Sequence, residues 1–197
     1  GWALPVVVKA LPRRRLPPSP SPRYPDAMPD TVLPTQLVEL AQKVILANRR
    51  AGRTVAVAES CTGGLVSAAL TEIAGSSDVF EAGFVTYSND MKTELLKVSH
   101  DVLDTFGAVS IATAWAMAQG ALKKSHAHVA VAITGIAGPG GGSEQKPVGT
   151  VVFARAERGA SPDKVVADMH HFENNGRAGV RLQAAVCALE LLLPDGA

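Results

Sequence analysis

Two short apolar runs, Thr54-Val-Ala-Val-Ala-Glu-Ser60 and Val129-Ala-Val-Ala-Ile-Thr134, constrain what this chain can fold into. Both are shorter than a typical buried helix and rich in β-branched residues, so both read as strands. The second shows no polar residue before Thr134, the pattern of a strand covered on both faces. Helical segments surround them. Leu37, Leu40, Ala41 and Val44 share one helical face behind Pro34, and Gly52 stops that helix. Leu65 to Ala74 reads as a second helix. Phe84 to Ser88 reads as a strand leading into a helix from about Met91 to Val98. Ser110 suits the N-cap of a helix with Ile111, Ala114, Trp115, Ala118 and Leu122 on one side. Thr150 to Ala156 and Lys164 to Phe172 are expected to form an antiparallel hairpin, turning at Gly159 to Asp163. The last helix turns Val180, Ala184, Cys187, Ala188, Leu191 and Leu192 inward before Pro194. Strands alternating with helices and then a hairpin predict a three-layer α/β/α domain with a mixed sheet over residues 33–197.

Residues 1–27 stand apart. They hold seven of the 13 prolines, and proline removes amide donors and fixes φ. Residues 1–32 are expected to be a disordered Pro/Arg-rich tail, with Met28 as a natural start. Five of the 19 cations and one of the 18 anions lie in residues 1–27, which leaves 14 and 17, a net charge of −3, for the rest. A mildly acidic domain offers no electrostatic reason to bind nucleic acid. No apolar run approaches the ~20 residues of a membrane helix. The two cysteines, Cys61 and Cys187, have no paired spacing, which argues against a disulfide scaffold or a zinc site and fits the reducing cytoplasm. None of the five histidines has metal-ligand spacing, so no metal or cofactor is expected.

Three segments carry residues able to do chemistry. Glu59-Ser60-Cys61-Thr62-Gly63-Gly64 lies where a strand ends and a helix begins, where open α/β sheets bind ligands. Free amides at such a helix start favour an anion. On sequence pattern alone the plainer reading is that Ser60 or Thr62 merely caps the helix. Cys61 is either a thiol nucleophile or a small buried hydrophobe. In Tyr87-Ser88-Asn89-Asp90-Met91-Lys92, a strand-end tyrosine and a lysine one turn into a helix can converge on the same cleft. A lysine in a partly dry site loses proton affinity and becomes a base; on a wet surface it is only a solvated cation. The third segment runs from Thr134 and Gly135 through Gly138 and Glu144 to Gly149. Its glycines fit close backbone contact with a ligand, or a flexible surface loop. It matches neither GxGxxG nor GxxxxGK[ST].

Together AESCTGG, GFVTYSN with its following lysine, and TGIAGPGGGSEQKPVGTV resemble the C-terminal domain of the CinA competence/damage-inducible family, over Leu33 to Leu193. The resemblance implies an α/β/α domain that, in active members, hydrolyses nicotinamide mononucleotide to nicotinate mononucleotide and ammonia without metal. It implies Ser60 as nucleophile and Tyr87 and Lys92 as its catalytic partners. Thr62, Gly63, Gly64, Thr134, Gly135, Gly138, Glu144, Arg177 and Arg181 become the expected substrate-binding residues. Beside Arg177, Gly176, Ala178 and Gly179 depart from the acidic or polar residue more usual in the family. The family's upstream nucleotide- or pterin-binding-like domain has no counterpart in residues 1–32.

The resulting expectation is acyl transfer. Lys92 takes the proton of Ser60 directly or through Tyr87, amides of Cys61 to Gly64 and around Thr134 and Gly135 hold the oxyanion, and Arg177 or Arg181 holds the 5′-phosphate. The rival readings are a non-catalytic nucleotide-binding module and a serine amidase for another amide; retention of both Ser60 and Lys92 favours an enzyme. The sequence leaves room for a homo-oligomer. Removing residues 1–27 is predicted to leave amidase activity and Tm nearly unchanged. A large fall in Tm of the shortened protein would show that the tail packs on the domain.

Overall fold

The computed structural model describes residues 31–161, 166–173 and 175–196. Residues 1–30 of the tail expected to be disordered, and Pro162 and Asp163 of the expected hairpin turn, lie outside the described residues. From Leu33 onward the chain forms one compact unit. Helices α1 (Thr35–Arg50), α2 (Leu65–Thr71), α3 (Asn89–Leu96), α4 (His100–Phe106), α5 (Ile111–Lys124) and α6 (Gly176–Leu191) pack around a five-stranded sheet. Its strands are β1 (Val55–Glu59), β2 (Phe80–Val85), β3 (Val129–Gly135), β4 (Thr150–Glu157) and β5 (Val166–His171), in the order β2-β1-β3-β4-β5. β1 runs parallel to both β2 and β3, whereas β3, β4 and β5 are successively antiparallel. This is the mixed sheet of an α/β fold, with the expected hairpin at its edge.

Pleating sorts side chains onto two unequal faces. Val55, Val57, Val131, Ile133, Val151 and Phe153 point to one core, closed by α1, α2 and α6. Ala56, Ala58, Ala130, Ala132, Ala154 and Ala156 point to the other, closed by α3, α4 and α5. The alanine face lets helices approach closely. At Gly120 of α5 an added Cβ would collide with the Leu96 carbonyl at the end of α3 and lie 2.8 Å from Leu96 Cβ.

Several boundaries differ from the sequence expectation. The strand expected at Phe84 to Ser88 is β2, and it starts four residues earlier and ends at Val85. Gly83 is a weak strand former, but backbone pairing with Val57 holds it extended, while Glu81 falls where the register shifts between Val55 and Ala56. Phe80, Ala82 and Phe84 are half-buried in alternation, as an edge strand requires. Thr86 still donates to the Glu59 carbonyl at 2.9 Å, after which the chain turns into α3. That helix begins two residues before the expected Met91 because Ser88 Oγ accepts the Met91 amide. α2 stops at Thr71 rather than Ala74. Helix α4 was not expected from sequence; Ser99 caps it and only Leu103 is buried, too little for a periodic signal. Ser110 does cap α5, accepting the Thr113 amide at 3.1 Å, but Ile111 stands exposed rather than inward.

Gly120→Ala tests the close α3–α5 approach. Alanine gains about 1 kcal/mol of helix propensity, and overpacking costs about 1–3 kcal/mol. Collision with a backbone carbonyl should put the balance on the losing side. The expected result is a lower urea midpoint with an unchanged slope; a raised midpoint would mean that α5 shifts freely away from α3.

Candidate active site

Because β2 and β3 lie on opposite sides of β1, the strand order reverses between β1 and β3, and a crevice opens at their carboxyl ends. Ser60 and Thr134 meet there: the Ser60 amide donates to the Ile133 carbonyl at 2.9 Å. Side-chain alternation sends Ser60 to the α3 face, and α3 delivers Lys92. Its Nζ lies 3.1 Å from Ser60 Oγ, 3.0 Å from the Thr86 carbonyl and 3.3 Å from the Tyr87 carbonyl. Lys92 is only 1 % exposed, and none of these three partners carries a charge. Desolvation lowers its pKa below the usual lysine value, with the Cys61 thiol opposing slightly. Lys92 Nζ donates to Ser60 Oγ and to the two main-chain carbonyls, all neutral acceptors. Cys61 is buried, and desolvation pushes its thiol up to about 11, so it stays protonated near neutral pH.

A cleft of ≈ 220 Å³ opens beside this pair, lined by Ser60, Cys61, Tyr87, Lys92, Thr134, Gly135 and Arg177, and also by Asn89, Ala108, Val109 and Ala137. Thr134 Oγ1 donates to the Ala108 carbonyl, which fixes the segment leading into α5 against the end of β3. Gly135 is needed here, because a Cβ would stand 2.8 Å from the Thr150 carbonyl. The other expected residues take different places. Tyr87 is 59 % exposed, so its ring does not bury Lys92; it meets Lys92 through its carbonyl, and its phenol accepts from Arg177 at 2.8 Å. Arg177 also donates to the Gly138 carbonyl at 2.7 Å, so it spans the mouth of the cleft. Arg181 donates to the Thr62 carbonyl and ties α6 to the turn after Ser60. Thr62 is fully buried, and its hydroxyl has no partner among the described residues. Glu144 is exposed and does not line the cleft.

The free amides expected at the start of α2 are not free. Glu59 points to the face opposite Ser60 and accepts from the amides of Gly64, Val66 and Ser67 at 3.0, 3.2 and 2.8 Å. Gly63 donates to the Ser60 carbonyl. An anion therefore finds no vacant donors at Gly63 and Gly64. The Glu59 side chain, Asn89 and the Ala108–Val109 wall escaped the sequence reading. Period-two alternation places Glu59 opposite Ser60 and was the one available signal; the wall depends on α4, which left no pattern.

The sequence matches the family model described as CinA C-terminal domain over residues 37–195. The chain belongs to the CinA C-terminal domain family. A family relative, the nicotinamide-nucleotide amidohydrolase PncC of Enterobacter agglomerans, is 48% identical over 160 residues, covering 81% of this chain and 95% of that protein. The putative competence-damage inducible protein of Symbiobacterium thermophilum is 50% identical over 153 residues, but the chain spans only 35% of its length. Among solved CinA structures, the competence/damage inducible protein CihA of Agrobacterium tumefaciens superposes with a TM-score of 0.78 at 49% identity, covering 82% of this chain and 96% of that one.

Lys92 gives a sign-definite pH test. Its lowered pKa means that the neutral form grows as pH rises through a value below the ~10.4 of free lysine. The turnover rate should climb through that value. Lys92→Arg should lose at least ~100-fold in kcat at every pH, since a guanidinium stays protonated. A near-wild-type kcat for Lys92→Arg would remove Lys92 from proton transfer. Stability carries the same sign. Between the lowered folded pKa and the unfolded one, the unfolded chain binds more protons, so stability rises with pH. Lys92→Met should lack that rise in Tm.

Proposed function

We propose that this chain hydrolyses the carboxamide of nicotinamide mononucleotide to nicotinate mononucleotide and ammonia, with Ser60 as nucleophile and Lys92 as its base. An amide-hydrolysing role is supported by the 48% identity, over 81% of the chain, to an enzyme named nicotinamide-nucleotide amidohydrolase. The observation that carries the finer reading is the 3.1 Å contact between the Lys92 amine and the Ser60 hydroxyl. A buried amine with lowered proton affinity, in hydrogen-bond reach of a hydroxyl, is the arrangement an activated serine needs.

The reaction runs in two halves. Lys92 Nζ takes the Ser60 proton as Oγ bonds to the carboxamide carbon. The tetrahedral oxyanion is met by the Cys61 amide and by the backbone at Gly135 across the cleft, each such donor being worth about 3–4 kcal/mol. The C–N bond breaks, the Lys92 ammonium gives its proton to the leaving nitrogen, and ammonia departs from an acyl-Ser60 ester. A water then passes a proton to Lys92 and attacks the ester, and Ser60 Oγ recovers its proton as the acid leaves. Lys92 touches Ser60 directly, so the transfer needs no relay through the Tyr87 phenol.

At ≈ 220 Å³ the cleft suits the pyridine carboxamide end, leaving ribose and phosphate at the mouth. Arg177 stands there, and a guanidinium matches phosphate in two-point geometry. Arg181 is held back by Thr62. The phosphate would exchange the neutral acceptors of Arg177 for a charged one.

Ammonia release from nicotinamide mononucleotide tests this reading, with nicotinamide and its riboside as controls that lack the phosphate. Ser60→Ala should abolish release while keeping the fold; more than a few per cent of wild-type rate would sink Ser60 as the nucleophile. Cys61→Ala should retain most activity, because its thiol stays protonated. A folded but dead Cys61→Ala would move the chemistry to sulfur.

A further inference from the structure

Glu59 precedes the nucleophile and is wholly buried, yet it faces away from the cleft. Its carboxylate is saturated by donors. Oε2 accepts from the amides of Gly64 and Val66, and Oε1 from the amide and hydroxyl of Ser67, the last at 2.7 Å. These groups form the first turn of α2, so the side chain closes a short loop from the end of β1, around the Ser60 turn and back. The main chain of Glu59 does something different. Its carbonyl accepts the Thr86 amide at 2.9 Å, and the carbonyl of Thr86 is one of the seats of Lys92 Nζ at 3.0 Å. One residue thus fixes the turn that presents Ser60 and holds the segment that seats Lys92. The space for this arrangement is reserved from the neighbouring strand. Gly83 of β2 lies against Ser67, where a Cβ would collide with the very hydroxyl that reaches Glu59.

We propose that Glu59 is a positioning residue for the amidase reaction: its buried carboxylate holds the Ser60–Gly64 turn so that Ser60 Oγ stays in reach of Lys92. The proposal rests on the assignment of Ser60 as nucleophile. The geometry makes the carboxylate hard to replace. All four of its partners donate, so a glutamine would set its NH₂ against at least one N–H that cannot turn away. Reactivity that depends on a 3.1 Å contact is sensitive to displacement, because a misplacement of about 1 Å can cost on the order of 100-fold. Substrate binding is not expected to suffer, because the carboxylate lies across the strand from the cleft. The titration of Lys92 should hold too, since its two carbonyl seats are main-chain groups that the substitution leaves in place.

The experiment compares wild type, Glu59→Gln and Ser67→Ala. For each, kcat and KM for nicotinamide mononucleotide are measured across pH and corrected for the folded fraction seen by circular dichroism. The rate at which phenylmethylsulfonyl fluoride labels Ser60 is followed by mass spectrometry and corrected in the same way. Glu59→Gln is expected to lose at least tenfold in kcat per folded molecule, with a matching loss in labelling rate. KM should stay within twofold, and the midpoint of the pH profile should not move. Ser67→Ala, which removes one of the four bonds, should lose severalfold in both rates. A merely structural Glu59 would lower the folded fraction and leave both corrected rates at the wild-type value, and that result overturns the proposal. Should Glu59→Gln fail to fold, Ser67→Ala decides alone, and unchanged corrected rates overturn it equally. Wild-type protein in which Ser60 is not labelled would instead count against Ser60 as the nucleophile, a failure of the underlying assignment that the same data separate from the first.

Discussion

The arrangement depends on keeping one lysine dry. A buried ammonium has lost its hydration, and the partners of Lys92 Nζ among the described residues, a hydroxyl and two carbonyls, carry no charge to replace it. The cost of burial falls on the charged form, which lowers the proton affinity of the amine. Strand β1 ends beside that amine, and the turn at its end carries the Ser60 hydroxyl 3.1 Å from it. The sheet order then sets a second strand end, that of β3, alongside to complete the cleft. Remove the burial of Lys92 and the remaining geometry is an ordinary cleft with a serine in it.

Two structural solutions share the end of β1. On one face Ser60 meets Lys92, and on the other Glu59 satisfies the start of α2. A helix start normally presents unpaired amides, and many nucleotide-binding folds use them for phosphate. In this protein the chain's own carboxylate occupies them. The positive end of the helix is thereby spent on holding the turn, and the exposed guanidinium of Arg177 stands instead at the mouth of the cleft.

Much of this was legible in the sequence. The strands around Val55 and Val129, the cap at Ser110, the hairpin and the last helix followed from apolar runs and capping chemistry. Ser60, Lys92, Thr134, Gly135 and Arg177 were placed in one cleft by motifs that the fold does bring together. What was not legible depended on partners distant in sequence. β2 begins at Phe80 only because β1 pairs with it, and α4 has one buried residue and so no periodic face. The Arg177 contacts to Tyr87 and Gly138 join three separate segments, and no local pattern announces them. Glu59 looked like one more polar residue in a motif because its partners are amides, which carry no sequence signature.

The cleft is built from two kinds of material. Its floor, at Ser60, Lys92 and Thr134, sits on strand ends and on α3, whose end packs closely against α5 at Gly120. Its rim, at Tyr87, Gly138 and Arg177, belongs to a turn, a glycine loop and an exposed first turn of α6. The Ser60–Lys92 pair and the mouth of the cleft therefore belong to separate parts of the molecule. Under the proposed mechanism, substitution at the rim would alter admission while leaving the Ser60–Lys92 pair in place.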